Sequence, residues 1–205
     1  MVREIGHRTK NALALVQGVL RMSRAASIEE FSDRVQGRID ALAKAHNLLV
    51  ESRWQDVSLA RLIRAETDVF GTQRANIGGS SLAVGPDQVQ PLALVQHEIV
   101  ANAAHHGLLS AAEGTLTIGW RSERDATVIE VHEAGGPPPA NDRAPGFGSA
   151  MMRAIMQRQL PRSLDFNWHS AGLHSVLRVP KRAAARLATD LDICPTPAAN
   201  PAVAR

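Results

Sequence analysis

Hydrophobic positions recur along the first 50 residues at the three- and four-residue steps of amphipathic helices. Between residues 3 and 24, Ile5, Ala12, Leu13, Val16, Val19 and Leu20 fall at such spacings, with basic residues collected at both ends. Ser27 then offers an N-cap with Glu30 three residues on, the capping box that opens a second helix. That helix carries Phe31, Val35, Ile39, Leu42, His46 and Leu49 in one stripe, while Asp33, Arg34, Asp40 and Lys44 take the other side. A hairpin of two such helices leaves each stripe short of a facing partner. Dimerisation into a four-helix bundle would supply one, and packing on the rest of the same chain is the alternative.

From Trp54 the pattern turns to mixed helix and strand. Residues 58–69 have helical spacing, 76–85 contain a short strand, and Pro91 is expected in the first turn of a helix running to about His106. Alternating segments at 115–120 and 127–133 flank a turn-like stretch and predict a hairpin. A glycine-led helix follows from Gly146, then a second hairpin around Ala171-Gly172. The order implies an α+β layer with helices on one face of a mixed sheet. A helix is expected from Lys181, ahead of a Pro/Ala-rich, disordered end.

Composition narrows the function classes. The chain has 205 residues, 44% hydrophobic and 21% charged, as a globular protein does. It has no apolar run of about 18 residues and no apolar stretch where a signal peptide needs one, so the expectation is a cytoplasmic protein without a membrane span. A net charge of +3 and 3% aromatics with no Tyr cannot assemble a stacking platform for nucleic acid. The single cysteine, Cys194, lies in the tail and forms neither an internal disulfide nor a Cys cluster for zinc.

Three constellations could carry chemistry. His7 and Asn11, four apart, share one helix face, and an imidazole there is a competent nucleophile toward phosphorus at neutral pH. Alone, it reads more readily as a solvated polar helix end. Glu98 and Asn102 likewise share a face and offer the oxygen donors a hydrated Mg²⁺ prefers, although such a pair is commonly a surface feature. Glycines at Gly135-Gly136 after a strand and at Gly146 and Gly148 before a helix can bring backbone amides to phosphate, or make ordinary turns. No P-loop, dinucleotide fingerprint, Gly-x-Ser-x-Gly elbow or His-Glu-x-x-His helix is present. His105 and His106 point about 100° apart on a helix and read as polar surface, and His46 as a hydrogen-bonded interface residue.

The order of these features over residues 3–180 resembles the HWE-type sensor histidine kinases of two-component signalling. REIGHRTKNALALVQGVL is similar to that family's phosphoacceptor box. GRIDALAKAHNLL with Trp54 continues it, PLALVQHEIVANAAHHGLLS resembles the asparagine box, and VIEVHEAGGPPP and PGFGSAMM resemble two glycine boxes. The resemblance implies a phosphoacceptor and dimerisation hairpin at 1–52, an α/β-sandwich ATPase domain of the histidine-kinase/GHKL type at 53–182, and a tail at 183–205. It makes His7 the phosphoacceptor, Asn102 the residue that meets Mg²⁺ and phosphates, and Glu98 a catalytic neighbour. His97 is the histidine of the asparagine box, Glu133 the acid that recognises the adenine amino group, and Gly135, Gly136, Gly146 and Gly148 flank the ATP lid.

Three positions depart from the family pattern: Val131 stands where its Trp belongs, His105 where a Lys is usual, and Pro161-Arg162 where Gly-Gly is expected. Arg8 follows His7, so the acid that serves many other histidine kinases as base is absent, and Glu98 is the candidate in its place. Little chain precedes His7, so either the chain is a fragment or its input comes from a separate sensor protein. The implied function is an ATP-dependent protein histidine kinase, a homodimer that phosphorylates a response-regulator receiver domain. The alternatives are a histidine phosphotransfer protein with a degenerate ATP domain and a non-catalytic scaffold.

Overall fold

The computed structural model describes residues 13–68, 74–106, 114–135, 147–160, 164–169 and 172–181. The segment before 13 and the helix expected after Lys181 lie outside them. Helix α1 covers 13–22, and α2 follows at Ile28–Glu51. The expected capping box starts α2: Ser27 Oγ accepts from the Glu30 amide at 3.1 Å, and Glu30 reaches back to the Ala26 amide at 2.9 Å. The helix closes without a glycine. Arg53 and Trp54 both take positive φ, 52° and 61°, and the Trp54 amide donates to the Leu49 carbonyl at 2.7 Å. Left-handed backbone in two successive side-chain-bearing residues is uncommon, and here the partly buried Trp54 ring packs on the core.

The buried face of α2 is rotated from the expected stripe. Arg38, Ala41, Leu42, Ala45, Leu48 and Leu49 are buried, Phe31, Val35 and Ile39 are half-buried, and His46 is exposed, edge-on to Trp54. A pattern reading weights large apolar side chains and passes over alanine and arginine. Close approach to another helix favours small residues, and Gly37 lies so near that helix that a Cβ would come within 3.0 Å of His97 Nε2. The facing partner is α4, from within the chain, so the packing left open as an alternative is the one observed for this face.

The helix expected from 58 is α3, Leu59–Thr67, and the single strand expected at 76–85 is two: β2 at Ala75–Gly79 and β3 at Ala83–Val84. A two-residue β1, Val57–Ser58, pairs with β3. Helix α4 spans Pro86–His106, so Pro86 rather than Pro91 occupies the first turn. Pro91 sits one turn further in and lacks the N–H that would close a bond there. Residues 91–100 are buried without interruption, as in a helix surrounded by protein, and α2, α3 and α5 all pack on it.

The two predicted hairpins are β4 (Thr115–Ser122) with β5 (Ala126–Ala134), and β6 (Leu164–His169) with β7 (Gly172–Pro180). Helix α5, Phe147–Arg158, lies between them. The sheet order is β2-β4-β5-β7-β6, with β2 parallel to β4 and the other pairs antiparallel. This is the expected α+β arrangement on a mixed sheet. Register puts Trp120 opposite Ile129, Ile118 opposite Val131 and Leu116 opposite Glu133 on the inner face, continued by Leu177 and Ser175 on β7. One buried cluster runs from Leu15 and Val19 through α2 and α4 to Val179.

Candidate ATP-binding and phosphotransfer site

The i, i+4 relation of Glu98 and Asn102 puts both on one side of α4, and the start of α5 comes against them. A Cβ at Gly148, in the first turn of α5, would stand 2.8 Å from Glu98 Oε2 and 3.7 Å from Asn102 Nδ2. Only a glycine admits this approach with the carboxylate in place. The structure therefore joins three of the residues singled out above: Glu98, Asn102 and Gly148.

Glu98 is 6% exposed, and α2 is what compensates its charge. Arg38, 3% exposed, donates from Nε to Oε1 at 2.7 Å and from Nη2 to Oε2 at 2.8 Å, a bidentate pair. Its Nη1 donates to Ser23 Oγ at the end of α1, and that hydroxyl donates to the Val19 carbonyl at 2.6 Å. The chain Ser23–Arg38–Glu98 thus ties both hairpin helices to α4. Sequence reasoning missed Arg38. Its one visible sign is a charge falling within the span of an otherwise apolar helix face.

His97 is turned to a different side of α4. It is buried, its Nδ1 lies 3.3 Å from Oε2 of the buried Glu66 on α3, and its Nε2 faces Gly37 on α2. Its surroundings are the packing of three helices. Glu133 is the last buried residue of β5, 8% exposed, on the helix-facing side of the sheet. Gly135 follows with φ of 81°, a left-handed turn that explains a glycine there. His7, Gly136 and Gly146 lie outside the described residues, as do the side chain of His105 and the pair Pro161-Arg162. Val131, which stands where the resemblance expects a Trp, is 3% exposed and sits in the core between Ile118 and Ser175.

The donors suit a cation that keeps most of its water. Asn102 offers a neutral amide oxygen, and the Glu98 carboxylate is already held by two hydrogen bonds, which fits outer or partial coordination of Mg²⁺ better than a dehydrated cage. Gly148 at the start of a 12-residue helix adds backbone amides suited to phosphate. A cleft of about 290 Å³ lined by Leu15, Leu49, Trp54, Pro86 and Gln90 stands apart from these residues. It opens at the other end of α4, more than ten residues before Asn102, which at 1.5 Å per residue is about 18 Å away.

Residues 4–81 match the HWE histidine kinase family. The chain is 37% identical over 182 residues to a blue-light-activated histidine kinase of Rhizobium johnstonii, covering 88% of this chain and 53% of that protein. It is 26% identical to blue-light-activated histidine kinase 1 of Erythrobacter litoralis, covering 86% and 52%. The chain thus spans about half the length of the curated relatives it matches. A solved blue-light activated histidine kinase from Erythrobacter litoralis superposes with a TM-score of 0.66 at 19% identity, over 87% of this chain and 58% of that one. The histidine kinase domain of that protein gives a TM-score of 0.60 at 16% identity, over 83% and 94%.

Proposed function

Because the chain belongs to the HWE histidine kinases, we propose that it is an ATP-dependent protein histidine kinase of a two-component system. It phosphorylates its own His7 and passes the phosphoryl group to an aspartate of a response-regulator receiver domain. The observation that carries the reading is the convergence of Glu98, Asn102 and Gly148 in a relative of named histidine kinases. In this reading 1–52 is the phosphoacceptor hairpin and 53–182 the nucleotide-binding part.

An imidazole nitrogen of His7 attacks the γ-phosphorus of ATP, the bond from that phosphorus to the bridging oxygen breaks, and ADP leaves with the electron pair. The imidazole gives up its proton to a base. Phosphoryl transfer of this kind asks the protein for positioning and charge neutralisation above all. Mg²⁺, when bound with the nucleotide, supplies neutralisation of the phosphate charge. Asn102 and Glu98 would hold that cation through oxygen, Glu133 would accept from the adenine amino group, and Gly135, Gly136, Gly146 and Gly148 would flank the lid over the phosphates. Glu98 is bonded to Arg38 in this arrangement, so its service as a base requires that pair to open.

Two further readings belong to the same proposal. Leu13 and Leu20, seven apart on α1 and 58% and 48% exposed, support a homodimer through that helix. Among the described residues no helix is long and apolar enough to cross a membrane. We read the reaction as cytoplasmic because ATP and a receiver domain are its reactants in this proposal, with any signal arriving through another segment or a separate sensor protein.

The test is incubation of the purified chain with γ-labelled ATP and Mg²⁺ beside His7→Ala and Asn102→Ala. Acid-labile label on the wild type and on neither variant is expected, with Asn102→Ala still folded by circular dichroism. Full labelling of Asn102→Ala would remove the site assignment. No label together with no ATP binding would replace the kinase with a phosphotransfer protein.

A further inference from the structure

The outer face of the sheet carries a cluster that the proposed reaction leaves unused. Glu130 and His132 are two apart on β5 and so point to the same side, and His174 on β7 stands directly opposite His132. That side is the reverse of the one bearing Val131 and Glu133. Each of the three offers one ligand atom, and these atoms lie within 4.8 Å of one another. The two imidazoles are stacked, with ring centroids 3.9 Å apart and planes 14° from parallel.

We propose that Glu130, His132 and His174 form a binding site for a borderline transition-metal dication of the Zn²⁺ class. Two imidazole nitrogens and one carboxylate oxygen are a donor set that Zn²⁺ takes, with a fourth position left to water. Strand geometry supplies the convergence. Side chains at i and i+2 and at the facing cross-strand position are neighbours on one face, at about 5 to 7 Å between their origins. Ligands on a tetrahedral ion about 2.0–2.1 Å from each donor sit about 3.3 Å apart. The observed spread therefore closes by side-chain rotation alone, chiefly by turning the stacked rings so that one nitrogen of each points at a common centre.

The neighbouring charges leave room for a dication. Facing this side are Thr117 and Arg121 on β4, Val176 and Arg178 on β7, and Asp165 on β6 opposite Val176. Arg121 donates to Oε1 of Glu130 and, at 2.9 Å, to Glu123, and Arg178 donates to Glu123 at 2.6 Å. Both guanidinium groups are thus matched by carboxylates. Monodentate ligation needs only one oxygen of Glu130, so the Arg121 bond can persist. A bound ion would staple β5 to β7 immediately behind Glu133.

The probe is Zn²⁺ itself, titrated into the purified full chain in competition with a chromophoric chelator and in the presence of Mg²⁺, with Co²⁺ absorption as a second reading. Losing even an outer-shell partner of a metal ligand weakens binding about 10- to 100-fold, so His132→Ala and His174→Ala are each expected to weaken one equivalent by at least that much. Zn²⁺ should also raise the melting temperature of the wild type and leave the double variant unmoved. An unchanged titration in a folded double variant would overturn the site and move the ion elsewhere, as would no binding by the wild type. Where the alanine variants fail to fold, Glu130→Gln and the imidazole resonances of the wild type decide. Ring signals of His132 and His174 that do not move on adding Zn²⁺ reject the proposal.

Discussion

At Gly148 two opposing effects can be weighed by size. Alanine in a helix is worth about 1 kcal/mol over glycine, so helix propensity alone favours Gly148→Ala. A Cβ there meets Glu98 Oε2 at 2.8 Å, however, and that oxygen is pinned by Arg38 and cannot swing aside at little cost. Forcing an extra carbon into a well-packed place costs about 1–3 kcal/mol. The clash outweighs the propensity, and Gly148→Ala is expected to lower stability by about 1 kcal/mol in urea denaturation. In a Glu98→Ala background the same change should become stabilising, because the obstructing oxygen is gone. A cycle over the four variants measures the coupling, and additivity of the two changes would refute the contact. Gly37 invites the same reasoning, with His97 Nε2 as the fixed neighbour at 3.0 Å.

Strand β5 shows how one element serves two surfaces. Its inner face sets Val131 in the core and buries Glu133 near the strand's end, while its outer face joins Glu130 to the Arg121–Glu123–Arg178 ladder. Arg121, by hydrogen bonding, holds the Glu130 carboxyl below its ordinary value of 4.5, and Arg178 and then Arg121 do the same for Glu123. A carboxyl depressed in the folded state adds stability that is fully present above its unfolded pKa and is lost as pH falls through the lower folded value. Wild-type stability is therefore expected to drop as pH is taken below 4.5, and less steeply in Arg121→Ala, which loosens both carboxylates. These carboxylates are half-buried at the surface and their partner Arg121 is exposed, so the difference is small and shrinks with salt. Urea midpoints between pH 6 and pH 3 at two ionic strengths check it, and parallel curves for the two proteins would contradict it.

The same element marks what could be read without coordinates. The alternation of TVIEVHE gave β5 and its hairpin partner, and the Glu98–Asn102 spacing gave one face of α4, because period-2 and period-3.6 patterns are local. The phase of α2 was not legible. Burial of Arg38 depends on Glu98, 60 residues away, and a buried arginine looks like a solvated one until its partner is placed. The Glu130, His132 and His174 cluster likewise exists only in the β5–β7 register, which no spacing in the sequence encodes.

For the whole molecule the Ser23–Arg38–Glu98 chain poses a question about cooperativity. It joins α1, α2 and α4 in the docked arrangement, and the core cluster passes without a break from Leu15 to Val179. The hairpin and the sheet layer should then unfold together, in a single transition by both far-ultraviolet and Trp signals. Removing one partner of a buried pair strands the other charge, at a cost of about 3–5 kcal/mol, whereas replacing both by apolar groups of similar volume is close to neutral. Arg38→Met is expected to cost that amount, and Arg38→Met with Glu98→Met to recover most of it. The single variant also weakens the α2–α4 contact selectively, so hydrogen exchange in α2 should accelerate more than in β5. Should α2 exchange at the rate of β5 in Arg38→Met, the ion pair would be a local contribution to stability rather than the tie that holds the hairpin against the sheet layer.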